Sequence, residues 1–189
     1  MSKTVFNKVD YDLGSLIKAI GLGEIGLPDI QRPFVWKNAK VRDLFDSMYK
    51  GYPVGYFLFW QNAMGTDTHA IGTDSKQLPP KLVIVDGQQR LTSLYAVVRS
   101  IPVIRQNFES ERIQIAFNPM EEKFEVIDAA ILRDKAFLPD ISMLWNDETD
   151  VFEILDKYLE GLSTTRDVSD EEEKKIKSSE SAKLKFSRM

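Results

Sequence analysis

Apolar residues recur at steps of three and four in four segments, which is the spacing of one face of an α-helix. These segments are residues 13–20 after Asp12, residues 38–50 from Asn38, residues 88–100, and a stretch that begins at Asp147 or Thr149. Asp12 and Asn38 are expected to cap their helices, because their side chains accept hydrogen bonds from free N–H groups. Residues 170–177 carry charges of both signs and predict a solvated helix.

Short apolar or alternating runs predict strands. They cover residues 25–27, 55–60, 82–85, 112–117 and 123–127. The run 55–60 is dense in aromatic residues, and we interpret it as a central strand whose side chains belong to the core. Residues 118–122 predict a hairpin between the last two strands. Residues 61–80 are polar and predict a loop or hairpin, with the single histidine, His69, as a surface residue.

Five polar or glycine residues, from Asp86 to Arg90, lie between the strand 82–85 and the helix 88–100. Free backbone N–H groups and the positive end of the helix dipole meet at such a junction, so it suits an anion. Gly87 allows a sharp turn and a close approach of the backbone to a ligand. Arg90 adds a planar set of donors that fits phosphate or carboxylate. The sequence therefore predicts an anion site at this junction of strand and helix, residues 86–90, which is called the corner below.

The remaining members of the cluster suit the same site. Asp86 can hold a divalent metal ion or a ribose hydroxyl, and Gln88 and Gln89 each offer donors and an acceptor. A structural alternative stays open. Asp86 could be the N-cap of the helix, and Arg90 could lie on a solvated face beside an acidic neighbour.

Residues 28–36 form a second unusual segment, in which two prolines hold their predecessors extended. Gln31 and Arg32 lie there between apolar neighbours, and Phe34 and Trp36 follow. The segment is either part of a functional site or a structural loop anchored by its aromatic residues, with Arg32 in an ion pair. The residues alone leave both interpretations open.

Composition narrows the classes of function. The 189 residues are 43% hydrophobic and 29% charged, which is ordinary for a globular domain. The net charge of −4 gives no general attraction to nucleic acid. The chain has no cysteine, which excludes disulfides and thiolate chemistry and fits a cytoplasmic protein. The sequence shows no signal peptide and no membrane span, so no membrane partner is expected.

The segments Ile30–Trp36 and Ile84–Leu94 together resemble the DGQQR-motif family, the N-terminal domain of GmrSD-type modification-dependent restriction enzymes. The resemblance implies an α+β, ParB/sulfiredoxin-like fold, with a small mixed sheet flanked by helices. We expect this domain to cover residues 1–145. Residues 146–189 are expected to form a helical extension that leads to a further C-terminal region.

The resemblance also implies nucleotide binding and hydrolysis that license DNA cleavage by a separate His-Asn-His-type domain or partner chain. Catalysis is assigned to Asp86, Gln89 and Arg90, with Asp86 also holding Mg²⁺. The nucleoside triphosphate, whose base stays open, is assigned to Gly87, Gln88, Gln31, Arg32 and Thr92. The oligomeric state stays open, and a homo-oligomer is compatible with the sequence.

Two other functions compete with this hypothesis. In the first, the chain is a ParB-like module in which Arg32 and Arg90 contact DNA phosphates without hydrolysis. In the second, the chain is itself a metal-dependent nuclease that uses Asp86. Metal nucleases normally need several ligands, and the sequence has no tight acidic cluster around Asp86.

Overall fold

A computed structural model describes residues 6–28, 33–61, 68–69, 80–146 and 150–178. Within these ranges the helices are α1 (Leu13–Gly21), α2 (Asn38–Tyr49), α3 (Gln88–Arg99), α4 (Val151–Ser163) and α5 (Asp170–Ser178), with a 3₁₀ helix at Ile141–Trp145. The strands are β1 (Ile25–Pro28), β2 (Leu58–Gln61), β3 (Thr68–His69), β4 (Leu82–Asp86), β5 (Val103–Ile104), β6 (Ser110–Glu111), β7 (Ile115–Asn118) and β8 (Lys123–Val126). The expected α+β class is confirmed.

The largest sheet has four strands in the order β2-β4-β1-β3. Its central pair, β1 and β4, is parallel, whereas β2 and β3 run antiparallel to their neighbours. Because β1 and β4 are parallel, their carboxyl ends lie at the same end of the sheet. The predicted hairpin of β7 and β8 is present, and β5 pairs with β6 in a second hairpin that the sequence did not predict.

One hydrophobic core joins most of these elements. The core includes Val83 and Ile84 of β4, before the polar cluster, and Leu91 and Leu94 of α3, after it. Both ends of the polar cluster are therefore anchored in the core. The apolar face of α4 packs into the same core through Ile154, Leu155, Tyr158, Leu159 and Leu162.

The proposed domain boundary near residue 146 stays a prediction. None of the helices in the described ranges combines the length and the apolar character that a bilayer crossing requires.

The interpretation of residues 55–60 as a central, buried strand is wrong. The strand β2 begins at Leu58 and lies at the edge of the sheet. Tyr56 and Trp60 are 82% and 69% exposed, and Phe57 and Phe59 pack against the core. Alternate residues of an extended chain point to opposite faces of the sheet. Only every second side chain of this run therefore faces the core.

One predicted helix cap and one predicted helix start are also wrong. Asn38 is the first residue of α2, and its amide contacts Glu111 and Arg105 instead of the helix end. Helix α4 is capped by Asp150, whose carboxylate accepts a hydrogen bond from the N–H of Phe152. Residues 147–149, which include the predicted starting positions, lie outside the described part of the chain.

The cap at Asp12 is confirmed and yields a prediction about pH. Its carboxylate accepts the Ser15 N–H at 2.8 Å and the Ser15 hydroxyl at 2.7 Å, and these bonds hold the Asp12 pKa below its ordinary value. A lowered pKa stabilises the fold above the unfolded-state value of about 3.9, and this stabilisation disappears as pH falls through the folded value. We expect Asp12→Ala to lower the free energy of unfolding by about 1 kcal/mol at pH 7.

Urea unfolding of both proteins from pH 7 down to pH 2.5 measures this effect. The difference between wild type and variant should shrink below about pH 4, because the protonated carboxyl is a poorer acceptor. A difference that stays constant across the series would assign the effect to something other than the charged cap.

Candidate nucleotide site

The predicted corner is a tight strand–turn–helix junction. Strand β4 ends at Asp86, Gly87 takes a left-handed conformation with φ of 93°, and α3 begins at Gln88. Gly87 is the N-cap and, having no side chain, makes no capping hydrogen bond to this end of α3. The structural alternative that made Asp86 the N-cap is therefore wrong. The N–H groups of the first helical turn therefore have no acceptor from the cap position, which suits an anion.

Asp86 lies in the open at this corner. Its side chain is 78% exposed, and one carboxylate oxygen is 3.9 Å from Nη2 of Arg90. An exposed carboxylate keeps its lone pairs accessible to a metal ion or a water molecule. In the described ranges, no group of three acidic or histidine side chains is placed to hold a metal ion. Mg²⁺ is commonly held by one or two carboxylates together with substrate phosphates, so Asp86 suits that mode of binding.

Arg90 points inward, toward the segment that precedes β2. Its side chain is only 18% exposed, and its guanidinium donates hydrogen bonds to the carbonyls of Val54 and, at 2.8 Å, Tyr56. The guanidinium carbon also lies 5.2 Å from the centre of the Phe57 ring. The alternative that placed Arg90 on a solvated face is wrong. An arginine has five N–H donors, so two carbonyl contacts leave donors for a phosphate oxygen.

Two glycines make this approach possible. Gly55 has φ of 87°, and a Cβ built there would overlap Nη1 of Arg90. A Cβ at Gly87 would lie 2.7 Å from Cδ1 of Phe57, which is too close for van der Waals contact. Residues 54–57 therefore pack directly against the start of α3, and Arg90 joins the two backbones.

Gln89 joins the corner to residues 33–36, the described end of the segment with two prolines, which is called the proline-rich segment below. Its Oε1 accepts the N–H of Val35 at 2.9 Å, and its Nε2 donates to the carbonyl of Pro33 at 3.3 Å. The two stretches singled out in the sequence are thus in contact. Gln31 and Arg32 lie outside the described residues, although Arg32 is bonded directly to Pro33. Gln88 and Thr92 are half-buried in the first turns of α3.

Sequence reasoning missed Arg105, which lies at the end of β5. Its guanidinium donates to the carbonyl of Trp36, to Oδ1 of Asn38 and to Glu111. It also lies 4.9 Å from the centre of the Phe34 ring. Residues 101–111 contain no repeat or motif that marks this arginine, and its role follows only from contacts distant in sequence.

The fold and the corner define an α+β domain in which a DGQQR turn is hydrogen-bonded to Pro33 and Val35. The chain belongs to the family of GmrSD restriction endonuclease N-terminal domains, whose family model matches residues 13–188. This membership confirms the predicted family. The chain is also 32% identical over 100 residues to the uncharacterized protein MJ0686 of Methanocaldococcus jannaschii. That match covers 47% of this chain and 17% of the relative.

Proposed function

We propose that this domain binds and hydrolyses a nucleoside triphosphate with Mg²⁺, and that the bound or hydrolysed state licenses DNA cleavage by a separate nuclease domain or partner chain. The observation that carries the proposal is the meeting of an exposed carboxylate, Asp86, with the uncapped start of α3. A metal-binding group and an anion-binding group at one corner suit a metal-bound polyphosphate.

The phosphates would lie on the N–H groups that follow Gly87. Gly87 takes a left-handed conformation between β4 and α3, and the N–H groups of a helix's first turn have no intrahelical partner and are directed out of its N-terminus. The side chains of Gln88 and Thr92 lie on the same turns of the helix and are proposed to hydrogen-bond the nucleotide. The helix dipole adds further attraction for the negative charge.

Arginine would neutralise the charge that develops on the phosphoryl oxygens. Arg90 is held in place by the carbonyls of Val54 and Tyr56, so its free donors need little reorganisation. Arg32 is proposed as a second cation, because its neighbour Pro33 is hydrogen-bonded to Gln89 at the site. Gln31 precedes it and is proposed to contact the nucleotide.

Asp86 would hold Mg²⁺ or orient the attacking water. When bound, Mg²⁺ supplies charge neutralisation for the phosphates. The amide of Gln89 is already engaged by Pro33 and Val35. We therefore assign Gln89 to positioning the proline-rich segment, in place of direct contact with water.

A titration with a fluorescent, non-hydrolysable triphosphate tests the proposal. We expect saturable binding that depends on Mg²⁺, because Asp86 contacts the nucleotide through the metal. Absence of binding with Mg²⁺ would overturn the assignment. Salt-sensitive binding of DNA without nucleotide, together with no triphosphate binding, would favour the ParB-like alternative.

A further inference from the structure

We propose that Arg105 is a positioning residue for the nucleotide site. It acts by holding residues 33–38 from the side opposite to Gln89, so that the segment reaches the start of α3 in one fixed conformation. This inference rests on the proposed function of the site. It assigns a role to the hairpin of β5 and β6, which the sequence motifs do not include.

Arg105 bonds the end of the segment through one backbone group and one side chain. Its guanidinium donates to the Trp36 carbonyl and, at 2.5 Å, to Oδ1 of Asn38. Nε is bonded to Glu111 at 2.6 Å, and Glu111 in turn accepts from the Asn38 amide at 2.7 Å. The Arg105 side chain is only 17% exposed, so water competes weakly for these bonds.

Further contacts hold the same segment, both from Gln89 and from the β5 side. Gln89 bonds the Pro33 carbonyl and the Val35 N–H, and the Phe34 N–H donates to the Ile104 carbonyl at 3.0 Å. The Phe34 ring is buried beneath the guanidinium of Arg105. Four consecutive residues, 33–36, therefore each contribute a backbone group to a hydrogen bond. An irregular segment that is bonded at every residue has few alternative conformations.

The chemistry of arginine explains why this residue occupies the position. A planar guanidinium can bond a carbonyl, an amide oxygen and a carboxylate at once and still stack on an aromatic ring. Lysine offers a compact charge without that geometry. The ion pair with Glu111, whose side chain is 41% exposed, is expected to add little net stability. The bonds to Trp36 and Asn38 instead restrict the end of the segment to one arrangement, which is the property that a positioning residue needs.

The experiment compares Arg105→Gln and Arg105→Lys with the control Arg112→Gln. Arg112 also pairs with a carboxylate, Asp140, at 2.7 Å, but it does not belong to the bonds around residues 33–38. Two quantities are measured below the unfolding temperature: hydrogen exchange in the peptide that covers residues 33–38, and affinity for a non-hydrolysable triphosphate with Mg²⁺. We expect both Arg105 variants to exchange faster and to bind about tenfold more weakly, and the control to match wild type in both.

A double-mutant cycle with Gln89→Ala adds a readout that a purely structural role would not move. If both side chains act through the same segment, their effects on triphosphate affinity should not add, whereas independent losses of stability would add. Unchanged affinity in both Arg105 variants, or full additivity with Gln89→Ala, would overturn the positioning role while wild type still binds. A wild-type protein that binds no triphosphate would instead overturn the proposed function, and this inference with it.

Discussion

Replacement of Asp86 by Asn is expected to lower the turnover of a nucleoside triphosphate by about 100-fold or more, with no change in the midpoint of thermal unfolding. An amide has nearly the shape of a carboxylate but lacks the negative charge that would hold Mg²⁺. The fold should tolerate the change, because the Asp86 side chain is largely exposed and its ion-pair contact with Arg90 is long at 3.9 Å. Phosphate release in the presence of Mg²⁺ measures the effect.

Asp156→Asn is the matched control for this variant. Asp156 is an exposed carboxylate on α4 that lies 3.6 Å from one basic side chain, that of Lys177. Both substitutions remove one negative charge and weaken one long ion pair, but only Asp86 lies at the corner. Equal turnover in the two variants would show that Asp86 takes no part in hydrolysis.

Replacement of Gly55 by Ala is expected to reduce the free energy of unfolding by about 3 kcal/mol, against about 1 kcal/mol for Gly51→Ala. Both glycines have positive φ, 87° and 74°, so both substitutions strain the backbone. A Cβ at Gly51 meets nothing within 4 Å, whereas one at Gly55 overlaps the Arg90 guanidinium. The extra loss comes from displacing Arg90 from the carbonyls of Val54 and Tyr56.

Urea unfolding of the two variants, alone and combined with Arg90→Ala, measures this difference. Without the arginine side chain there is nothing for the new methyl group to displace, so Gly55→Ala should then cost about as much as Gly51→Ala. Equal costs of the two glycine substitutions in the wild-type background would show that the Arg90 contact does not stabilise the fold.

Local signals in the sequence were enough to place the corner. The apolar run of β4, the Asp-Gly pair and the helical spacing after it are properties of neighbouring residues, and they located Asp86 and the start of α3 correctly. The Asp12 cap and the hairpin of β7 and β8 also follow from adjacent residues. Such signals reflect propensities that act over one or two turns of chain.

The partners of the key side chains could not be predicted in the same way. Arg90 bonds carbonyls 34 and 36 positions earlier, and Arg105 bonds one that is 69 positions earlier. A backbone carbonyl is present at every residue, so the sequence carries no mark of which one accepts. The prediction of a central strand at residues 55–60 failed for a related reason. The aromatic composition predicts a strand, but it does not tell whether that strand pairs with one neighbour or with two.

The parallel pairing of β1 with β4 has a consequence for recognising this site in other chains. The carboxyl ends of both strands lie at the same end of the sheet, and residues 33–36 meet the DGQQR turn through Gln89. Insertions or deletions in the connection between β1 and β4 that spare α2, residues 54–57 and β2 should leave the corner intact. A search for such corners should therefore hold the two short motifs fixed and allow the gap between them to vary freely.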